Sequence, residues 1–188
     1  MEVLTQDALR LRREEFSEKI KAGCLFIHPT DTIYGIGCNA LDAKAVAKIR
    51  ELKGRPTSPL SIWVPQKLWI KKNCSLSKEA KEWLAKLPGP YTLILALKNV
   101  KAVAKEVIPT THNLGVRLPN HWFSSFVETL GIPIITTSAN KVGEPFMTRL
   151  ESLDPDIERA CEFMVYEGVK EARHSTIVNL EKNELIKR

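Results

Sequence analysis

Short apolar runs that each hand over to a polar loop alternate along this chain with segments of helical periodicity, and this alternation limits the fold more than any other feature. Cys24, Leu25, Phe26 and Ile27 form a run of strand length that Pro29 ends, because proline brings no N–H to a ladder. The loop that follows holds Thr30, Asp31, Thr32 and Tyr34. Before the run, Ala8, Leu9, Phe16 and Ile20 recur at near-helical spacing and Gly23 offers a stop, which predicts one opening helix over 5–22. After the loop, Ala43, Val46, Ala47, Ile49 and Leu52 mark one helical face, with Asp42 as N-cap and Gly54 and Pro56 as terminators. Lys53, Gly54 and Arg55 thereby fall at a helix-to-loop junction.

The same reading predicts strands over 60–64, 91–97, 114–118, 132–137, 162–166 and 176–180. Helices are expected over 77–87, capped by Ser77, over 120–130, and more weakly over 150–160. Arg117 lies inside the strand 114–118, and the strand 132–137 runs into Ser138, Ala139 and Asn140. Alternating strands and helices over 188 residues predict an α/β fold: one domain spanning 1–188, a twisted mixed sheet with flanking helices. No apolar run approaches the ~20 residues that cross a bilayer, and the N-terminus lacks an apolar signal core. The expectation is a cytoplasmic protein with no membrane partner.

Charge and cysteine usage narrow the chemistry. Lys and Arg number 28 against 22 Asp and Glu, an excess that favours anionic partners such as phosphates or nucleic acid. Cys24, Cys38, Cys74 and Cys161 lie far apart with no C-x-x-C pair, so neither a disulfide framework nor a zinc cage is expected. His28, His112, His121 and His174 show no metal-ligand spacing, and any metal is expected to arrive with a nucleotide.

Gly35-Ile-Gly37-Cys-Asn-Ala40 fits the G-x-G-x-x-A dinucleotide pattern, yet its first glycine does not sit at the turn directly after a strand. These glycines read instead as positions of close backbone approach. Neither a G-x-x-x-x-G-K-[ST] cradle nor a G-x-S-x-G elbow occurs. Three polar clusters remain at element ends: 30–34, 53–55 and 136–140. Lys53 and Arg55, one glycine apart, could converge on a polyphosphate, or simply complement a helix dipole. Ser138 and Asn140 would share one face of an extended segment, or form a capped turn. Arg117, in an apolar strand, needs a buried anion or an exposed face.

Read in order, the clusters resemble the YrdC-like family, whose short single-domain members are threonylcarbamoyl-AMP synthases. His28-Pro-Thr-Asp-Thr-Ile-Tyr-Gly-Ile-Gly37 is similar to the P-T-D-T-x-Y-G-[IL] signature, and Ile49-Arg-Glu-Leu-Lys-Gly-Arg-Pro56 to the K-x-R segment. Pro88-Gly-Pro-Tyr-Thr-Leu-Ile94 resembles P-G-P-x-T, and Gly115-Val-Arg-Leu-Pro119 resembles G-x-R-x-P. Thr137-Ser-Ala-Asn140 with Gly143-Glu-Pro145 is similar to the S-x-N region, and Ser175-Thr-Ile-Val178 to the closing S-T-[IV]-[IV].

The resemblance implies a sheet wrapped around a deep basic groove and formation of threonylcarbamoyl-AMP from L-threonine, bicarbonate and ATP. Lys53 and Arg55 would act catalytically at the ATP phosphates, and Ser138, Asn140 and Ser175 would contact the nucleotide. Thr30, Thr32, Tyr34, Arg117 and Thr137 would line the threonine and bicarbonate pocket, while His28 is read as structural. Mg2+ would come with ATP, with no tightly bound organic cofactor, and the product would pass to a separate tRNA threonylcarbamoyltransferase. Two departures stand out: the loop after Arg55 is one residue shorter than the family pattern, and the chain resembles the short form without a further C-terminal domain. Two rival readings are a double-stranded RNA or tRNA-binding module without catalysis and a carbamoyl-transfer domain. Weak RNA binding is also an expectation beside catalysis, and no acylphosphatase-like or zinc-finger segment supports the carbamoyl-transfer reading.

Overall fold

The computed structural model describes residues 1–187. Its strands are β1 (Glu2–Leu4), β2 (Phe26–His28), β3 (Gly35–Gly37), β4 (Ser61–Trp63), β5 (Tyr91–Ala96), β6 (Asn113–Arg117), β7 (Ile134–Ile135), β8 (Thr137–Ser138), β9 (Phe163–Val165), β10 (Thr176–Asn179) and β11 (Glu184–Ile186). The helices are α1 (Gln6–Leu11), α2 (Arg13–Lys21), α3 (Ala43–Lys53), α4 (Lys67–Asn73), α5 (Lys78–Ala85), α6 (Phe123–Leu130) and α7 (Pro155–Ala160). No helix among the described residues is long and apolar enough to cross a membrane.

The fold is mixed α/β, but the strands form two sheets rather than one. One runs β1-β9-β2-β3-β8 and the other β11-β10-β5-β6-β4-β7, each with parallel and antiparallel pairs. The segment expected as one strand over 132–137 is the reason. Ile134 and Ile135 pair with Trp63 and Ile62, whereas Thr137 and Ser138 pair with Ile36 and Gly35 of the other sheet. Between them the Thr136 N–H donates to the Ser61 carbonyl at 2.9 Å, so the chain changes sheets without leaving a backbone donor unpaired.

Glycine makes that seam close. A Cβ on Gly37 would stand 2.8 Å from Phe26 Cζ and 3.0 Å from the Ile135 carbonyl oxygen, so only a bare Cα lets β3 lie there. The Gly-x-Gly run thus serves close backbone approach, and it is a strand rather than a phosphate turn.

Helix ends follow their chemistry. Asp42 Oδ1 accepts from Lys44 N and Ala45 N, and Gly54 closes α3 at φ 61°. Ser77 Oγ likewise accepts from Ala80 N at the start of α5. The opening helix breaks at Arg12, whose guanidinium pairs with Glu2 of β1 and with Glu15. Leu9, Phe16 and Ile20 still face one core. The expected helix over 150–160 resolves into a single 3-10 turn, Leu150–Ser152, and α7, capped by Asp154.

An aromatic cluster lies under the first sheet. Phe16 and Phe26 pack on Phe163 with ring centroids 4.6 and 5.1 Å apart, and His28, Trp63 and Phe123 continue the stack. Burial pushes the His28 imidazole down to about 3, so it stays neutral as part of the core. This packing fixes the end of β2, from which the Thr30 loop departs.

Candidate active site

At the seam of the two sheets lies a cavity of about 190 Å³, small beside the ~300–1,000 Å³ of pockets that enclose drug-sized ligands. Six separate stretches of chain build it: the loop after β2, the loop after α3, the start of β5, the end of β6, the β7–β8 crossover, and the segment before β10. Its walls are hydroxyl-rich, with Thr30, Thr32, Thr92, Thr137, Ser138 and Ser175 joined by Arg55 and Arg117. It is thus a polar chamber, and the deep basic groove implied by the resemblance is not what the walls describe.

The Thr30 loop is rigid through its own hydroxyls. Thr30 Oγ1 accepts from Thr32 N at 3.0 Å and donates to the Ile33 carbonyl at 2.7 Å. Arg117 reaches this loop from β6: Nη2 donates to Asp31 Oδ1 at 2.9 Å and to Thr32 Oγ1 at 3.1 Å. Asp31 Oδ2 also accepts from Asn120 N at 3.0 Å. The Arg117 and Asp31 side chains are only 8% and 10% exposed, so the buried anion that Arg117 requires is Asp31.

Tyr34 is fully buried, and its hydroxyl works on backbone: it donates to the Gly168 carbonyl at 2.7 Å and accepts from Glu167 N at 3.0 Å. Burial raises its pKa. Glu167 is itself gripped by His121 Nε2 at 3.0 Å, Trp122 Nε1 at 2.6 Å and Lys170 Nζ at 2.5 Å. Burial alone would push the Glu167 carboxyl up, yet the hydrogen bonds from His121, Lys170 and Trp122 outweigh it and hold the group at about 2. Lys170 also donates to the Thr30 carbonyl at 2.9 Å. The stretch between β9 and β10 is therefore fastened to the Thr30 loop, and it delivers Ser175, whose Oγ lies 2.7 Å from Thr92 Oγ1.

Eight of the ten residues singled out from sequence line this one chamber: Thr30, Thr32, Tyr34, Arg55, Arg117, Thr137, Ser138 and Ser175. Lys53 and Asn140 stand one layer behind. Lys53 Nζ donates to the carbonyls of Ser138 and Asn140, each at 2.6 Å, and to Asn140 Oδ1 at 3.3 Å. Asn140 Nδ2 donates in turn to the Glu144 carbonyl at 2.6 Å. With Lys53 only 2% exposed, burial and then the neighbouring Arg55 charge push its ammonium down to about 8.

Asp31, Thr92, Glu167 and Lys170 were not singled out from sequence. Asp31 sits inside a marked polar cluster and Thr92 is polar within an apolar strand, so both carried a signal. Glu167 and Lys170 lie in a stretch without periodicity and carried none.

Comparison with known proteins agrees across nearly the whole chain. A model of the Sua5/YciO/YrdC family, described as "Telomere recombination", matches residues 18–188. A candidate threonylcarbamoyl-AMP synthase of Methanocaldococcus jannaschii is 35% identical over 179 residues, covering 92% of this chain and 82% of that protein. The threonylcarbamoyl-AMP synthase of Pyrococcus abyssi is 34% identical over 182 residues, again covering 92% of this chain, which spans 53% of that longer relative. Among solved structures, P. abyssi Sua5 complexed with L-threonine superposes with a TM-score of 0.85 at 29% identity, over 99% of this chain and 56% of that one. Escherichia coli YciO shares the fold, with a TM-score of 0.84 at 18% identity over 99% of this chain and 92% of that one. The chain belongs to the Sua5/YciO/YrdC family.

Proposed function

We propose that this protein is a threonylcarbamoyl-AMP synthase, joining L-threonine, bicarbonate and ATP into threonylcarbamoyl-AMP and pyrophosphate for N6-threonylcarbamoyladenosine modification of tRNA. One observation carries the reading: a small hydroxyl-lined chamber with two arginines, gathered from six stretches of chain, in a fold whose relatives bear that name. The rival RNA-binding reading without catalysis draws no support from relatives named as synthases.

Bicarbonate takes up a proton and loses water to give carbon dioxide, whose carbon threonine's amine attacks, shedding a proton to form a carbamate. A carbamate oxygen then attacks the α-phosphorus of ATP, the bond to the bridging oxygen breaks, and pyrophosphate leaves with the electron pair. No covalent enzyme intermediate is needed, so the protein contributes position and charge. Arg117, already oriented by Asp31, faces the threonine and bicarbonate side with Thr30, Thr32, Tyr34 and Thr137. Arg55 neutralises charge on the departing pyrophosphate, and Ser138 and Ser175 hold the nucleotide. Lys53 and Asn140 set the height of the Ser138 loop and add a positive charge behind it. Mg2+ would arrive with ATP and would supply further neutralisation of the polyphosphate beside Arg55. The product passes to a tRNA threonylcarbamoyltransferase in the cytoplasm.

Pyrophosphate release from ATP, measured with and without threonine and bicarbonate, tests the reading. Release that requires both is expected. Release indifferent to threonine would overturn it.

A further inference from the structure

We propose that Arg50 is a positioning residue that braces the phosphate-facing wall of the chamber, an inference that rests on reading the chamber as an ATP site. Arg50 lies on α3 one turn before Lys53 and is 7% exposed. Its Nη1 donates to the carbonyls of Arg55 at 2.8 Å, Pro56 at 3.2 Å and Ser58 at 3.0 Å. Its Nη2 donates to the Val107 carbonyl at 3.1 Å, and its Nε to the Glu106 carbonyl. Five peptide oxygens from two distant segments thus converge on one guanidinium.

Residues 55–60 form a whole wall of the chamber, contributing Arg55, Ser58, Pro59 and Leu60 to its lining. They include two prolines, which lack backbone donors, and the stretch adopts no helix or strand. Its backbone donors are tied only at the ends, Arg55 N to the Arg50 carbonyl at 2.9 Å and Leu60 N to the Val107 carbonyl at 3.0 Å. The middle of the loop is held from behind by Arg50.

Two consequences bear on an anionic ligand. The carbonyls of Arg55, Pro56 and Ser58 point their negative ends at Arg50, so they do not oppose phosphate oxygens in the chamber. The three loop carbonyls are neutral, so apart from the pull of the nearby Glu106 carboxylate the guanidinium charge is retained, and a cation stands immediately behind the wall that carries Arg55. Lysine offers three donors where arginine offers five in a planar fork, so it can replace the charge but not the whole fan.

Hydrogen–deuterium exchange and steady-state kinetics of the full chain as wild type, Arg50→Met and Arg50→Lys test the brace. Arg50→Met should speed exchange at the Arg55 and Leu60 amides, the bonded donors at the two ends of the loop, by about tenfold or more while residues 43–49 of α3 keep their protection. Its KM for ATP should rise by about tenfold, with the KM for threonine within about twofold, because the lost interaction belongs to one subsite. Arg50→Lys should fall between. A residue that only stabilised the fold would instead lower kcat through a smaller active fraction and leave both KM values alone. Unchanged KM for ATP in Arg50→Met, or faster exchange spread evenly over the molecule, overturns the proposal. Should Arg50→Met not fold, Arg50→Lys decides: a raised KM for ATP supports the brace and an unchanged one refutes it. Wild-type protein that releases no pyrophosphate would remove the proposed activity alone, since exchange at the Arg55 and Leu60 amides still judges the brace.

Discussion

Replacing Lys53 by Met separates two effects that coincide at this buried amine. The side chain satisfies the Ser138 and Asn140 carbonyls at 2.6 Å each; removing the donor leaves the Asn140 carbonyl short of a partner, at about 1–3 kcal/mol, while the Ser138 carbonyl keeps the Asn140 N–H at 2.9 Å. Against that stands the burden of keeping an ammonium out of water. Its drop from the ordinary 10.5 to about 8 corresponds to about 3 kcal/mol, taking about 1.4 kcal/mol per pH unit. At pH 7 the two nearly offset, and Lys53→Met should change stability by no more than about 3 kcal/mol.

The pH dependence is sharper. The folded protein releases the Lys53 proton near pH 8, the unfolded chain near 10.5, so between these values the unfolded state binds more protons and stability rises with pH. That contribution is complete above the unfolded value and is lost as the pH falls through 8. Methionine has no such term. Urea denaturation at matched pH steps should therefore show wild type gaining on Lys53→Met by up to about 3 kcal/mol from pH 8 to 10.5, since the other lysines cancel in the difference. Parallel stability curves across that window would refute the reasoning, because they would mean that Lys53 keeps an ordinary proton affinity in the folded state.

Arg117→Gln leaves the Asp31 carboxylate buried without its cation, which should lower stability by about 3–5 kcal/mol in urea denaturation; a loss under about 1 kcal/mol would remove the buried pair from the account. Glu167→Gln deletes a carboxylate held at about 2, whose stabilisation is full above the unfolded value near 4.5 and is lost as pH falls to 2. Acid titration followed by circular dichroism should show a shallower decline for this variant over that interval, and an identical decline counts against the grip of His121, Trp122 and Lys170. Gly37→Ala forces a Cβ against Phe26 and the Ile135 carbonyl, so its melting temperature should fall by an amount equivalent to about 1–3 kcal/mol; a wild-type melting temperature would show that the seam is looser than described.

Local chemistry made much of this molecule legible in sequence. Asp42 and Gly54 bound α3 because a side-chain acceptor and a left-handed glycine satisfy helix ends without help from the rest of the fold. Ser77 does the same for α5. Polar clusters at strand and helix ends marked Thr30, Thr32, Tyr34, Arg55, Thr137 and Ser138, since a rigid scaffold leaves its ligand-facing groups on the loops. Arg117 stood out instead inside an apolar strand, and Ser175 through the family resemblance alone. The loop after Arg55, one residue short of the family pattern, was readable as a departure, but not how it is held.

The remainder depends on contacts between residues far apart along the chain. Strand β1 exists because Glu2–Leu4 pairs with Phe163–Val165, some 160 residues away, and three residues carry no signal of their own. The break of residues 132–137 between two sheets is set by Ile62 on one side and Ile36 on the other, which no local period encodes. Lys53 and Arg55 look equivalent in sequence, yet one is tied to the Ser138–Asn140 backbone while the other lines the chamber. Hydrophobic periodicity and capping are short-range, so composition and order specified the longer helices and most central strands, the family and the identity of the polar loops. Which carbonyl each buried cation satisfies is a long-range matter of desolvation, and only the packed tertiary structure decided it.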